Sequence, residues 1–495
     1  MILRSFSPAQ SIAPSLGLRL LPHRPPRVRL SLVVAGIAGV AVTTSLHAQV
    51  SPPDSARKAP TADTLSLDSL RARLARAEAA IALLREQLAG ESESAVHTRS
   101  RFRVELFAQV LTNAFATFGR VNNIDVPQTV LPPAAVDVSP PRTDALGFSL
   151  RQTRLGATTW VDDLAGGSFV GDIDLDLFGG AQNGAGDRRL FPEPRLRTAR
   201  ARLIWRNTEL MVGSDSPLIS DLNPLTLAAV GIPDFSGAGN LWNWLGQVRV
   251  TREIGSIGRA GHEIRWAVQG AVMSPNASQV APGDPDAADA GERSLRPALE
   301  GRLRARWGGA EGNMTVSQAL IATGGGEIGV GIHRGWVAMS NGPPTAVGAS
   351  RLRESHAVSV DLRAVLMRGL ELRGEGYAGR LLRGLGGGGI AQNFGAPAST
   401  APPGAVGEPV RDVAGWAQLN AQPHPAVLAG AGCGIDVVAP EQFPNRLQNT
   451  VCAAHLEWRP FQPLVIGAEY RQLATRFATG TFGARHVNLA FGFEI

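Results

Sequence analysis

Apolar and polar residues alternate along most of the chain from Arg101 to the carboxyl terminus. The last nine residues, Val487 to Ile495, show the pattern clearly, because nearly every second side chain is apolar and those between are small or polar. A period of two is that of a β-strand. Strands with one apolar and one polar face are typical of barrels that meet lipid outside and water inside. The pattern therefore predicts an all-β, antiparallel transmembrane β-barrel over residues 100–495.

Seventeen segments carry this strand pattern, and short turns alternate with long Gly- and Pro-rich loops between them. Single-chain bacterial barrels have an even number of strands. One of the candidate segments between residues 311 and 356 is therefore expected to be wrongly assigned as a strand. The sequence predicts about sixteen strands, with eighteen as the alternative. The candidate strands lie at 102–118, 147–160, 167–178, 196–205, 208–214, 244–252, 262–272, 297–307, 313–321, 328–339, 356–366, 370–379, 413–422, 427–436, 450–459, 464–474 and 482–495.

The amino terminus has the pattern of an export signal. Several arginines precede an apolar run from Leu30 to Val42, and Ala48 offers a small residue for cleavage. The run is shorter than the roughly 20 apolar residues that span a bilayer. We therefore expect residues 1–48 to be a signal peptide, with a single membrane anchor as the alternative.

A helical pattern follows the signal. Residues 49–64 are rich in Pro, Ser, Asp and Ala and predict a flexible lead. Between Leu67 and Leu88, apolar residues then recur at alternating spacings of three and four, which is a heptad repeat. Residues 65–92 are therefore predicted to form a short periplasmic α-helical coiled coil, with a lone amphipathic helix as the alternative.

Composition and charge restrict the function. The chain has a formal net charge of +6, carried almost entirely by arginine. The arginines are spread through the predicted strands, and no zinc-finger spacing or basic helix is present, so no nucleic-acid partner is expected. The only two cysteines, Cys433 and Cys452, could form a disulfide between neighbouring strands or remain two free thiols.

Charged residues repeat at every second position of several predicted strands, on the face opposite the apolar side chains. Such rows must face water or an opposite row of charge, which a water-filled lumen provides. The alternative is the solvated outer face of a soluble β-sandwich. A change of parity near Gln152 further predicts a β-bulge that turns two more arginines inward. The predicted channel-lining residues are Arg151, Arg154, Asp172, Asp174, Asp176, Arg200, Arg202, Glu300, Arg302, Arg304 and Arg306.

The long segment from Ser214 to Asn243 contains Pro, Gly and several apolar residues. This composition is unusual for an external loop, which is the alternative interpretation. We expect the segment to fold into the lumen as a constriction loop that presents Asp215, Asp221 and Asp234.

Three segments resemble the early strands of DcaP-type outer-membrane porins: Phe148 to Gly156, Asp176 to Gly180, and Leu196 to Arg200. The resemblance implies a sixteen-stranded homotrimeric channel with an amino-terminal periplasmic coiled coil. It also implies a lumen suited to small anions such as dicarboxylates. It extends loosely over residues 65–495.

The sequence thus predicts a porin in the bacterial outer membrane. The expected partners are outer-membrane lipid, two further copies of the chain, small hydrophilic solutes and the outer-membrane assembly machinery. We found no convincing enzyme motif, and neither a cofactor nor a metal is expected. The alternatives are a phosphate- or polyphosphate-selective porin, a barrel hydrolase, and a structural or adhesive barrel that transports nothing.

Overall fold

The computed structural model describes the backbone of a short strand, Ala95–His97, and most of the chain from Phe102 onward. The predicted signal peptide, flexible lead and coiled coil lie outside the described residues. The described residues are 95–97, 102–133, 144–179, 192–259, 263–279, 288–308, 321, 324–339, 351–400 and 406–495.

Sixteen antiparallel strands form one closed barrel, and each strand pairs with its neighbours in the chain. The barrel closes where the last strand pairs with the first, from Arg485 opposite Phe118 to Glu494 opposite Gln109. The strands are β1 (Phe102–Phe118), β2 (Ala145–Ser149 and Arg154–Leu164), β3 (Gly167–Asp176), β4 (Arg195–Trp205), β5 (Thr208–Asp215), β6 (Leu245–Ile257), β7 (Ile264–Met273), β8 (Ala298–Trp307), β9 (Gly326–Met339), β10 (Arg351–Met367), β11 (Leu370–Arg380), β12 (Arg411–His424), β13 (Val427–Val438), β14 (Arg446–Trp458), β15 (Leu464–Phe477) and β16 (Gly480–Glu494).

The predicted count of sixteen strands is confirmed, and the extra candidate was residues 313–321. Nearly all of that segment lies outside the described residues. The barrel wall is continuous between the flanking strands, because β8 pairs directly with β9 from Leu299 opposite Arg334 to Trp307 opposite Gly326.

The outer face of the barrel is apolar. Side chains at alternate positions of the strands, such as Val248, Val250, Leu303 and Val360, are exposed although they are aliphatic. Leaving so many large apolar groups in water would be costly, whereas hydrocarbon accepts them. This face is therefore the lipid-facing surface of a transmembrane barrel.

The two ends of the barrel differ. At the short-turn end, strands are joined by tight connections such as residues 165–166, 206–207 and 368–369. At the opposite, long-loop end, several connections fold back into the barrel. The connections at this end include L1 (119–144), L3 (216–244), L4 (274–297), L6 (381–410), L7 (439–445) and the short turn L8 (478–479).

Buried apolar clusters fix these loops to one another inside the barrel. One cluster joins Leu241 of L3 to Leu382 and Leu385 of L6. Another joins Val130 of L1 to Phe235 of L3. The apolar core of the protein therefore lies within the barrel, where loop side chains meet the inner wall.

Helical structure among the described residues is short. It consists of the 3-10 turns Glu292–Ser294, Arg383–Leu385 and Pro440–Gln442, and a four-residue helical turn, Gly388–Ala391. None of the described helices is long and apolar enough to cross a membrane.

Cys433 of β13 and Cys452 of β14 lie directly opposite each other and form a disulfide. Of the two alternatives that the sequence left open, the structure has the cross-link between neighbouring strands. Both residues occupy outward positions, which places the bond on the lipid-facing side.

Candidate functional site: the charged lumen wall and the loop inside it

L3 follows the inner wall of the barrel around much of its circumference. The Ser220 hydroxyl donates to Glu375 of β11 at 2.6 Å. Leu225 N–H then donates to the Gln418 side chain of β12 at 2.8 Å, and Gln418 returns a hydrogen bond to the Leu225 carbonyl at 2.9 Å. These bonds satisfy backbone groups that would otherwise be buried without partners.

The middle of L3 reaches the strands on either side of the closing seam. The Thr226 hydroxyl donates to Glu469 of β15. The Ala228 carbonyl accepts from Asn488 of β16 at 2.9 Å and from Asn113 of β1 at 3.4 Å. L3 therefore contacts a large arc of the wall before it turns back.

L3 next meets β4, where Arg197 donates to the Val230 carbonyl at 2.6 Å. It then returns towards β12, where its backbone passes so close that only glycine fits. A Cβ at Gly239, whose φ is +105°, would lie 2.5 Å from the carbonyl oxygen of Gly415. The absence of a side chain at Gly239 thus allows the returning half of the loop to pack directly on the backbone of the wall.

The three predicted acidic residues of β3 all point into the barrel and form ion pairs with arginines. Asp172 accepts from Arg200 at 2.7 Å and from Arg202 at 3.1 Å, both on β4. Asp174 pairs with Arg154 of β2, and Asp176 accepts from Arg195 at 2.5 Å. The structure therefore brings these predicted acidic and basic rows together.

Arg195 and Arg197 were missed in the sequence, although both belong to this network. They have the opposite parity to Arg200 and Arg202, so strict alternation would turn them outward. A register shift between Asp174 and the next residue of β3 changes the parity of β4 at this point. Sequence alternation alone does not reveal which strand pair contains such a shift.

The predicted bulge near Gln152 is present as a break in β2 at residues 150–153. Six residues of β2, from Ser149 to Arg154, lie opposite five of β1, from Asn113 to Gln109. Arg151 is consequently buried and pairs with Asp125 of L1 at 3.1 Å. Asp125 was not identified in the sequence, because an isolated acidic residue in a loop carries no periodic signal.

The second predicted row lies on β8. Arg302 is fully buried and pairs with Asp361 of β10 and, at 3.2 Å, with Glu327 of β9. Arg306 also pairs with Glu327. Arg304 lies 3.6 Å from Glu253.

Glu300 is the acidic member of this row and contacts L3. It accepts from Ile219 N–H of L3 at 3.2 Å and lies 2.8 Å from Nδ1 of His333. The side chain thus links L3 to the wall. Glu327 and His333 were missed because β9 is otherwise rich in glycine and aliphatic residues.

The three predicted acidic residues of the constriction segment have different surroundings. Asp215 ends β5 and lies 3.3 Å from Arg249 and 3.4 Å from Arg200. Asp234 is fully buried, and its carboxylate lies 2.6 Å from Nη2 of Arg471. Burial and the nearby Glu469 raise the pKa of Asp234 to about 8, although Arg471 opposes the shift.

Asp221 is partly exposed and faces the arginines of β8 and β6. Burial alone would raise its pKa, but attraction to Arg302, Arg249 and Arg304 outweighs burial, so the pKa of Asp221 lies below its usual value. Asp221 therefore carries a full negative charge opposite a basic wall at neutral pH.

In the pairs that Arg200 and Arg202 of β4 form with Asp172, and in the pair of Arg306 with Glu327, the arginine is the more exposed partner. The other two arginines of β8 differ, because Arg302 is buried and Arg304 is less exposed than Glu253. The Arg200 side chain is 31% exposed and its partner Asp172 is 8% exposed. The corresponding values are 30% and 6% for Arg306 and Glu327. At Asp172 and Glu327 the acidic group therefore lies behind the guanidinium groups of Arg200, Arg202 and Arg306.

Comparison with solved structures identifies the same fold. The crystal structure of the outer-membrane channel DcaP of Acinetobacter baumannii matches with a TM-score of 0.57 at 14% identity, over 81% of this chain and all of that one. An anion-selective porin from Comamonas acidovorans matches with a TM-score of 0.47 at 10% identity, over 80% of this chain and all of that one.

No protein-family model matches the sequence, and no curated protein matches it. The resemblance to DcaP-type porins in the sequence is confirmed at the level of the fold: this chain forms a sixteen-stranded barrel similar to that of the outer-membrane channel DcaP.

Proposed function

We propose that the protein is an outer-membrane porin whose lumen passes small hydrophilic solutes and prefers anions. The observation that carries this proposal is the arrangement of the ion pairs, in which Arg200, Arg202 and Arg306 are more exposed than their acidic partners. A permeating ion interacts most strongly with the charges nearest to it, because the interaction with more distant charges is screened. An anion is therefore stabilised along this wall although positive and negative groups nearly balance.

L3 is proposed as the constriction. Its negative Asp221 is attracted by the basic residues of β8 and β6. Arg306 is the most exposed of these arginines, so a passing solute experiences the positive charge of Arg306 and the negative charge of Asp221. This arrangement favours solutes that are charged or strongly polar over apolar ones. Asp221 also limits the anion preference, since it is the acidic group of L3 that faces the arginines.

Small dicarboxylates are the solute class that the wall suits best. Arg200 and Arg202 stand two residues apart on the same face of β4, and both are partly exposed. Successive inward side chains of a strand are roughly 7 Å apart, which allows two carboxylates of one small molecule to meet two guanidinium groups.

The orientation follows from the general construction of such barrels. Short turns face the periplasm and long loops face the outside of the cell. The proposed signal peptide (1–48) directs export, and the coiled coil (65–92) lies in the periplasm. We further propose that the assembly machinery inserts the chain into outer-membrane lipid as a homotrimer.

Planar-bilayer recording of the refolded protein tests this function. In a KCl gradient, the reversal potential is expected to show a modest preference for chloride. Succinate on one side is expected to carry current or to interrupt it, whereas uncharged succinamide does neither. Absence of any conductance would instead support a structural or adhesive barrel, and block by phosphate but not by succinate would support a phosphate-selective porin.

A further inference from the structure

A cavity of about 760 Å³ opens at the long-loop end, away from the charged wall. L1, L6, L7 and L8 all contribute to it, together with the adjoining ends of β15 and β16. The volume is within the range of small-molecule sites in proteins, roughly 300–1,000 Å³. Its side chains include Phe394, Phe443, Phe477, Phe482, Asn445 and Thr479.

Phe443 is the most exposed of these aromatic residues. Its side chain is 73% exposed, and its φ of +51° is a left-handed conformation that residues other than glycine seldom adopt. Two backbone bonds hold it there: Phe443 N–H donates to the Pro440 carbonyl at 3.0 Å, and Ala396 N–H donates to the Phe443 carbonyl at 2.8 Å. L6 and L7 therefore hold an aromatic ring at the cavity in a strained conformation, as is often seen at binding sites.

The other aromatic walls are fixed by packing. The rings of Phe477 and Phe482 lie 5.8 Å apart at an angle of 60°, on inward positions of two paired strands. Phe394 packs against a buried cluster that includes Val337 and Met339 of β9. A ligand would thus meet rings whose positions are already set, which reduces the entropy lost on binding.

Among the residues that the structure describes, none that lines the cavity is charged. An ionised ligand would lose water there without gaining an opposite charge, which is unfavourable. The described lining offers two polar side chains for hydrogen bonds, Asn445 and Thr479. A sugar has more hydroxyl groups than these two side chains can satisfy, whereas an aromatic molecule with one polar group matches them.

We propose that this cavity binds uncharged aromatic molecules of two or three rings that carry a single hydroxyl or similar group. The site is separate from the arginine wall that supports anion passage. It therefore does not depend on the proposed conduction, and the two proposals fail independently because binding and current are measured separately.

Equilibrium binding to the refolded full-length protein tests the proposal with three matched probes. The probes are 2-naphthol, its saturated analogue decahydro-2-naphthol, and the anion 2-naphthoate, measured near neutral pH. Detergent also takes up the apolar probes, so each titration is compared with that of the Phe443→Ala variant in the same detergent. The wild type is expected to bind 2-naphthol more tightly than either of the other two probes.

Phe443→Ala is expected to raise the dissociation constant for 2-naphthol about fivefold, as loss of one aromatic contact does. Phe461→Ala is the matched control, because Phe461 is 65% exposed in a turn at the opposite end of the barrel. Both residues are exposed, so neither change is expected to disturb folding. Asn445→Asp, which adds a negative charge to the cavity, is expected to weaken 2-naphthol binding as well.

Equal binding by the Phe443→Ala and Phe461→Ala variants would overturn the proposal. Binding of 2-naphthoate as tight as that of 2-naphthol would overturn the claim that the ligand is uncharged. Equally tight binding of decahydro-2-naphthol would show that the cavity selects apolar volume and not aromatic rings.

Discussion

Arg200 of β4 donates from Nε to Asp172 of β3 at 2.7 Å, and the arginine is the partner that faces water. The pair therefore presents positive charge to the lumen although its net charge is zero. The same relationship holds between Arg306 and Glu327 on the β8 side. The proposed preference for anions then depends on the depth of each charge as well as on its sign.

Changing Arg200 and Arg202 together to Gln removes two of these exposed charges and uncovers Asp172. The reversal potential in a salt gradient is expected to move towards cations, and to move further at low ionic strength because salt screens wall charges. The control is the pair Arg334→Gln and Arg411→Gln, which removes the same charge from highly exposed positions near the long-loop end. An equal shift in both double variants would contradict a role of Arg200 and Arg202 in the conducting path.

The lipid-facing assignment of alternate residues is tested at Leu303, which lies at the middle of β8 and points outward. Leu303→Arg is expected to destabilise the folded barrel by about 2–4 kcal/mol, the cost of an arginine near the bilayer midplane. Leu295→Arg makes the same chemical change at an exposed position of L4. Its free energy of unfolding in a denaturant titration should remain close to that of the wild type, and similar losses in both variants would argue against the assignment.

Burial raises the pKa of Asp234 to about 8 in the folded protein. We therefore expect the stability of the protein to depend on pH. The folded state then binds a proton that the unfolded state releases near pH 4, so stability falls as pH rises from about 4 to about 8. Thermal unfolding of the wild type is expected at a lower temperature at pH 9 than at pH 6. Asp234→Asn, which cannot ionise, should reduce that difference, and an unchanged difference would assign the dependence to another group.

The disulfide between Cys433 and Cys452 is expected to contribute to stability but not to conduction. The two residues are 19 positions apart, and a cross-link of that span stabilises by roughly 3 kcal/mol in the chain-entropy description. Replacing both by Ala should therefore lower the free energy of unfolding while single-channel conductance is preserved, because the bond faces outward. A changed conductance would show that the bond also shapes the lumen.

The short heptad segment leads to a prediction about which part of the chain holds the proposed trimer together. Three heptads are marginal as an independent helical assembly. Deleting residues 67–88 is therefore expected to leave a trimer that is resistant to cold detergent on gels and dissociates on heating. Complete loss of the trimer would mean that the coiled coil, and not the barrel wall, holds the subunits together.

The alternation of residues determined the barrel, because the face of a strand side chain depends only on whether its position is odd or even. The inward positions of Asp172, Asp174 and Asp176 followed from this local rule. So did the bulge in β2, since a change of parity within one strand is visible in its own residues.

The odd or even position of a residue in its strand does not determine which residues of other strands and loops it meets. Only the tertiary structure decided those contacts. The shift that turns Arg195 inward depends on how β3 and β4 pair, and the burial of Asp125 depends on where L1 folds. The depth of each arginine relative to its acidic partner depends on how neighbouring strands pack. These properties arise from contacts between residues distant in sequence, so the sequence predicted the wall and its charges, and the fold set which charges meet water.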